Sequence, residues 1–199
     1  SEMCIRDSPI TENDKLFNRS ILINPDGDII SIYDKIHMFD ITLKDGESYK
    51  ESDFYSPGSE LKITKVLGHS VGHTICYDLR YPKLYRALAK KGSQIIVVPS
   101  AFTHTTGKAH WHSLIKARAI ENGVFILAPN QWGVNNEKRV TYGHTLIVDP
   151  WGETLAEAED GEMIIAAELD LNRVRECQNA IPVFCLLYTS PSPRDGIGS

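Results

Sequence analysis

Apolar and β-branched positions first gather at residues 18–24 (NRSILIN) and 29–34 (IISIYD), with Pro25-Asp26-Gly27-Asp28 between them. Two such runs around a turn signal predict a β-hairpin, with Lys35 leaving its far end. Residues 38–58 are polar and mixed and contain Asp45-Gly46-Glu47 and Ser56-Pro57-Gly58, which predicts a long surface excursion of the kind that usually carries function. Strand-like runs follow at 61–66 and 71–76, joined by a turn containing Gly68. Beyond Cys76 the period lengthens from two to about 3.6. Pro82 suits a first helical turn, Leu84, Tyr85, Ala87 and Leu88 make an apolar stripe, and Lys91-Gly92 is a stop signal. Residues 94–99 (QIIVVP) read as a buried strand, 110–122 as a second helix ending before Gly123, and 124–129 (VFILAP) as another strand. Two more strands are expected at 145–149 and 163–170, separated by a Pro150-Trp151-Gly152 turn, and a short closing helix at 171–179. Strands and helices alternate in the middle with hairpins on either side, which predicts one α/β domain of mixed sheets covered by helices. No internal repeat, low-complexity tract or composition break marks a second domain.

The two ends fit neither period. Back-translating residues 185–190 (CLLYTS) and reading the reverse complement from its third base gives Met-Cys-Ile-Arg-Asp, which is residues 3–7. One short DNA element read on opposite strands therefore accounts for both ends, and it resembles a transposon adapter of sequencing libraries. The expected division is an adapter-derived tail at 1–8, a partial domain at 9–184 and a second adapter-derived tail at 185–199. Residues 1–8 should then be loosely attached, and 189–199 irregular and exposed.

Composition narrows the partners. The 199 residues carry 21 Lys and Arg against 26 Asp and Glu, a formal charge of −5, with 42% hydrophobic positions. A mildly acidic chain without a basic block is a poor ligand for nucleic acid or anionic membranes. No apolar run approaches the roughly 20 residues of a bilayer span, and no amino-terminal signal is visible, so a cytoplasmic protein is expected. Four cysteines, Cys4, Cys76, Cys177 and Cys185, are too scattered for a zinc spacing and too few for a disulfide scaffold.

Three residues could carry chemistry. Cys76 ends an apolar strand and precedes a helix by the short polar turn 77–81. A side chain there is held above a sheet edge, where a helix terminus or a cation favours the thiolate; a buried inert cysteine is the competing reading. Lys35 interrupts the apolar run YDKIHMF, a position that alone reads as a solvated surface lysine. Glu51 follows sixteen residues later in the long excursion, and alone it is one of many exposed carboxylates.

In chain order, however, YDKIHMFD, a glutamate sixteen positions after its lysine, SPGSE, HTICYDLRYP, AHWHSLIKARAIEN and YGHTLIVDPWG form a set of blocks. This set resembles the nitrilase superfamily of carbon-nitrogen hydrolases, in particular its omega-amidase and deaminated-glutathione-amidase branch, over about residues 18–183. The resemblance implies a four-layer α-β-β-α sandwich lacking its amino-terminal part. It also implies a cofactor-free thiol mechanism in which Cys76 is the nucleophile, Lys35 the lysine and Glu51 the second glutamate. The family's general-base glutamate belongs to the amino-terminal strand region, ahead of the blocks matched here, so the chain as it stands is expected to be inactive. Homo-oligomers are a further implication of the resemblance alone.

Those residue types suit the reaction. An amide carbon is a weak electrophile, so thiolate attack needs a cation or dipoles on the developing oxyanion and an acid for the departing amine. Lys35 and the backbone N–H of Tyr77 would serve the oxyanion, and Glu51 would hold the lysine. The expected function is hydrolysis of a small carboxylic amide, such as an ω-amide of a dicarboxylic or keto acid, with release of ammonia through a Cys76 thioester. The alternatives are an N-carbamoyl amidase, a nitrilase, or a noncatalytic domain that keeps the fold. No metal is needed. His104, His110 and His112 are near in sequence, but residues two apart on a helix diverge. Trp111 reads as a packing residue, residues 101–107 as a substrate wall, and Arg80 as either a carboxylate binder or an ion-pair partner of Asp78 or another carboxylate.

Overall fold

The computed structural model describes residues 4–42, 48–136 and 139–184. Strands β1 (Cys4–Glu12), β2 (Lys15–Ile23) and β3 (Ile29–Asp34) form an antiparallel sheet in that order. Asn13 and Asp14 join the first two with φ of 51° and 59°, the left-handed turn whose twist matches the flanking strands. The second turn is closed by Asn24, whose Oδ1 accepts the N–H groups of Asp26 and Asp28 at 3.0 and 2.8 Å.

One expectation fails here. Residues 4–7 are not loosely attached; they extend β1, with Cys4 opposite Ile23 and Asp7 opposite Ser20. The reason is that the edge of β2 offers a row of backbone donors and acceptors, and an extended segment in register satisfies them whatever its origin. The expected irregularity of 189–199 lies outside the described residues.

A two-stranded ribbon, β4 (Asp40–Thr42) and β5 (Ser48–Lys50), stands within the long excursion. The larger sheet has six strands. In chain order these are β6 (Ile63–Val66), β7 (His69–His73), β8 (Ile95–Val97), β9 (Phe125–Ala128), β12 (Leu146–Val148) and β13 (Thr154–Glu157). Its order is β13-β12-β9-β8-β7-β6, with β7, β8 and β9 parallel and the remaining pairs antiparallel. The crossovers between parallel strands carry helices α1 (Pro82–Lys90) and α2 (His104–Asn122). A second ribbon, β10 (Trp132–Asn136) and β11 (Arg139–Tyr142), precedes β12, and α3 (Asn172–Ala180) closes the described chain.

Strand alternation sends Ile96, Val98, Ile126, Leu146 and Val148 to the helix side, where they pack with Leu88, Trp111 and Ile115 in one apolar core. The other side of the sheet meets the three-stranded sheet. Ser31 and Tyr33 of β3 are buried there, with Thr64 Oγ1 donating to Ser31 Oγ at 2.6 Å. The described residues thus supply the α, β and β layers of the expected sandwich. Where a fourth, helical layer is expected, Ile30 and Ile32 face outward and are 40% and 39% exposed.

Several boundaries differ from expectation. Helix α2 begins at His104 rather than 110, because Thr103 caps it, its side chain accepting from the Thr106 N–H at 3.4 Å. Strand β7 ends at His73, so Cys76 stands beyond the strand. The strand expected at 163–170 does not form: the segment alternates in exposure from Ile164 onward, yet pairs with no strand among the described residues. The turn at 150–152, with Gly152 at φ 91°, instead closes a hairpin of β12 with β13.

Candidate active site

Cys76 opens a short 3-10 turn (Cys76–Arg80) at the carboxyl end of β7. Its φ is 48°, a left-handed conformation that a non-glycine residue adopts only when its surroundings hold it there. They do so from both sides. Its N–H donates to the Pro99 carbonyl at 3.0 Å, tying it to the end of β8. Asp78, fully buried two residues on, turns its carboxylate back to accept the Ile75 N–H at 3.0 Å, the Tyr33 hydroxyl at 2.6 Å and the His37 N–H at 3.0 Å. Burial, then the charge of Asp78, push the Tyr33 phenol far above its ordinary range, so that it serves as a donor. Asp78 therefore fixes the turn and the three-stranded sheet to one another.

Lys35 follows the end of β3. Its N–H donates to the Asn18 carbonyl at 2.9 Å and its own carbonyl accepts from Gly58 at 2.8 Å. The side chain is 3% exposed, so the surface reading of this lysine is excluded. Its ammonium meets Glu51 Oε2 at 2.5 Å. Glu51 opens a single 3-10 turn after β5, and its carboxylate points inward: Oε2 also accepts the Phe39 N–H at 2.7 Å, and Oε1 accepts Asn18 Nδ2 at 3.2 Å. A buried charge pair is stable only when the remaining donors and acceptors are also satisfied, and here three groups converge on one carboxylate.

Lys35, Glu51, Cys76 and Tyr77 all line one cavity of about 470 Å³. It opens at the carboxyl ends of β7 and β8, where ligands gather in α/β sheets, and its size suits a small molecule. Ala101, Phe102, Thr103 and Thr106 form part of its wall, although the last of these stands on α2 rather than in a loop. Three further cations, Lys50, Arg80 and Arg139, line the cavity, and Glu51 is the one carboxylate among its described lining residues. Asn18 and Arg139 were not singled out from the sequence. Neither stands in one of the family-like blocks, and only the folded chain brings β2 and β11 to this opening.

The open choices at other residues resolve as follows. Asp78 spends its oxygens on Tyr33, His37 and Ile75, while Arg80 lies over the Tyr77 and Phe102 rings and donates to His110 Nδ1 at 3.3 Å. Trp111 is fully buried beside Phe102. His104 meets the Tyr142 ring, His110 meets Arg80 and His112 meets Glu157, so these three histidines do not converge. No helix among the described residues is long and apolar enough to cross a membrane.

A thiol on a left-handed turn, a buried lysine–glutamate pair and a cavity at strand ends thus come together at one opening of an α/β fold. Residues 3–179 match the family model described as carbon-nitrogen hydrolase, and the chain belongs to that family. It is 41% identical over 182 residues to the deaminated glutathione amidase of Yersinia enterocolitica, covering 91% of this chain and 62% of that protein. It is 42% identical to the probable hydrolase nit2 of Schizosaccharomyces pombe, covering 91% of this chain and 67% of that one. Among solved structures, Saccharomyces cerevisiae Nit3, a member of branch 10 of the nitrilase superfamily, superposes with a TM-score of 0.78 at 35% identity, covering 90% of this chain and 62% of Nit3. The chain thus spans about three fifths of the length of the deaminated glutathione amidases of Yersinia and Synechocystis that it matches.

Proposed function

We propose that this fold hydrolyses a small carboxylic amide bearing a carboxylate, through a thioester on Cys76. The observation that carries this reading is the cavity in which Cys76 and the buried Lys35–Glu51 pair share a wall with Arg80 and Arg139. The Cys76 thiolate attacks the amide carbon, and the Lys35 ammonium and the Tyr77 N–H take the developing oxyanion charge. Collapse expels ammonia, which leaves with the proton taken from the thiol, and the acyl group stays on sulfur; water then cleaves the thioester, its hydroxyl going to the acid and its proton restoring the thiol. Arg80 and Arg139 would attract the substrate's distant carboxylate. The deaminated-glutathione-amidase names of the Yersinia and Synechocystis relatives support an amide as substrate.

Glu51 is a positioning residue in this reading. Lys35, Phe39 and Asn18 already occupy its carboxylate, which leaves it poorly placed to take the thiol proton. That proton goes to a further glutamate, which the family resemblance assigns to an amino-terminal strand region. Turnover by the 199-residue chain alone should accordingly be slow. A cytoplasmic location and a homo-oligomeric assembly belong to the same reading, and size-exclusion chromatography tests the assembly.

The test measures ammonia release from ω-amides of dicarboxylic acids, N-carbamoyl amino acids and nitriles, by the chain alone and by the chain joined to the amino-terminal region of the Yersinia relative. The joined protein should prefer the ω-amides and lose activity at least about a thousandfold on Cys76→Ala. Preference for carbamoyl compounds or nitriles would move the function to the alternative branches, and equal ammonia release by Cys76→Ala would end the thiol mechanism.

A further inference from the structure

Away from the cavity, α2 meets the β12–β13 hairpin at three side chains whose ligating atoms converge. His112 stands on α2, His144 just before β12 and Glu157 at the end of β13. Strand pairing sets Glu157 opposite Leu146, and the Ala158 N–H donates to the Thr145 carbonyl at 2.9 Å, so the last two positions are held side by side. Glu157 Oε1 lies 2.8 Å from His112 Nε2 and 2.9 Å from His144 Nδ1. One ligand atom from each residue falls within 4.8 Å of the others. None of the three lines the cavity.

This arrangement is held from behind. His144 has φ 56°, its carbonyl accepts the buried Trp111 indole N–H at 2.7 Å, and the preceding Gly143 carbonyl accepts Asn130 Nδ2 at 2.6 Å. Its ring stacks on Tyr142 with centroids 4.4 Å apart, and Gly107 of α2 packs so tightly against Tyr142 that a β-carbon there would overlap the ring. The other ring nitrogen of His144, Nε2, faces Asp160 Oδ1 at 3.9 Å. Burial works to raise the Glu157 carboxyl, but the bonds from His112 and His144 outweigh it and hold the group below its ordinary value.

We propose that His112, His144 and Glu157 form a binding site for a divalent transition-metal ion of the zinc class. Two imidazoles and one carboxylate are the donor set such ions favour, whereas magnesium and calcium take oxygen ligands. Tetrahedral ligands about 2 Å from zinc stand about 3.3 Å from one another, so the rings need to part from the carboxylate by about half an ångström, and the two ring nitrogens, within 4.8 Å of each other, to settle at that same spacing. The side chains are 35%, 26% and 36% exposed, which leaves room for water in the remaining position. On binding, His112 Nε2 and His144 Nδ1 give up the protons they donate to Glu157 and offer their lone pairs to the ion, and each neutral ring then carries its proton on its other nitrogen. That proton on His144 then faces Asp160, the outer carboxylate that orients many metal-bound histidines. The bound ion ties α2 to the β12–β13 hairpin.

The test titrates the full 199-residue chain, and the same chain carrying Cys76→Ala, with ZnCl2 by calorimetry and with CoCl2 by visible absorption. One ion per chain should bind with a rise in Tm, and the cobalt spectrum should show ligand-field bands without thiolate-to-metal charge transfer. Cys76→Ala should leave this unchanged. His112→Ala, and Glu157→Gln, which keeps the side-chain shape but removes the charge, should each weaken binding at least tenfold and abolish the Tm shift. Failure to bind zinc, or binding that survives His112→Ala, overturns the site. If these variants do not fold by circular dichroism, the cobalt spectrum of the unaltered chain decides: thiolate charge transfer, or no ligand-field bands, overturns it equally.

Discussion

On the helix side of the larger sheet, Ile96, Val98, Ile126 and Leu146 meet Leu88, Trp111 and Ile115, all fully buried and all apolar apart from one indole nitrogen. On the opposite side, β3 and its exit present Ser31, Tyr33 and Lys35 at every second position, each buried and each bonded to a polar group elsewhere: Thr64, Asp78 and Glu51. Apolar burial is non-directional and rewards total contact, so the helix side supplies stability without dictating angles. A buried polar group costs more when unpaired than it returns when paired, so the other side dictates position. The Lys35 ammonium reaches the cavity wall because the two bonds before it on the same strand face leave β3 no other register.

The largest expected effect breaks the apolar side. Trp111→Ala removes a fully buried indole from the middle of the core together with its bond to the His144 carbonyl. It should cost about 3–5 kcal/mol in denaturant unfolding. A loss below about 1 kcal/mol would mean that the helices contribute little to holding the sheet.

Acid should act on the polar side. His73 on β7 is fully buried, its Nε2 lies 3.2 Å from Thr64 Oγ1, and its Nδ1 has no hydrogen-bond partner among the described residues. Burial, and secondarily the charge of Lys62, bring its pKa from 6.5 to about 4. The unfolded chain therefore binds more protons between those two values, so stability rises with pH across that window and is lost as pH falls from about 6.5 towards 4. The whole effect is at most about 3 kcal/mol. Chemical denaturation at pH 7 and pH 4.5, repeated on His73→Gln, measures it. An equal acid loss in the variant would remove His73 as the cause.

Tyr33→Phe should cost about 1–3 kcal/mol, since it strips a donor from buried Asp78 while leaving the ring in place. Its sharper consequence is positional. Asp78 also holds Ile75, next to Cys76, so alkylation of Cys76 by iodoacetamide should change in rate while that of Cys177, whose thiol burial pushes up, should not. Unchanged Cys76 reactivity would show that the polar bonds place β3 without placing the thiol.

The same contrast explains what could be read from the sequence. Residues 94–99 and 124–129, being short continuous apolar runs, gave strands β8 and β9, and the Pro82 and Lys91-Gly92 signals gave α1 to within a residue. The inside-out strand could not be read this way: in IISIYDK the outward residues are Ile30 and Ile32 and the buried ones Ser31, Tyr33 and Lys35, so hydrophobicity alone assigns the faces backwards. The segment 163–170 has the period of a strand, but a strand also needs a neighbour, which no single segment encodes. The ribbon β10–β11 escaped notice because WGVNN and RVTY carry no sustained alternation. At the cavity, Cys76, Lys35 and Glu51 were legible only as an ordered set of blocks, since each one alone favoured an inert reading. Arg139 and Asn18 were invisible because their place at the cavity is a product of tertiary structure.

The smallest expected effect concerns β1, the outer strand of the polar sheet. Deleting residues 1–8 removes the pairings from Cys4–Ile23 to Ser8–Arg19 but keeps those from Pro9–Asn18 to Glu12–Lys15. Arg19 also keeps its bonds to Glu12 at 2.7 Å and Asp34 at 2.6 Å, which clasp the three strands together. An edge strand is paired on one side only, and its cross-strand contacts are largely offset by the entropy of ordering it, so the loss should stay under about 1 kcal/mol. For a domain of this size that is a Tm shift of about 2–4 °C or less. The shortened chain should instead associate more readily at high concentration, because β2 becomes an open edge, and light scattering would detect this. A fall in Tm well beyond that range would mean that residues 4–7 pack as an integral part of the sheet, and the polar side would then draw stability from its edge strand as well as from the bonds of Ser31, Tyr33 and Lys35.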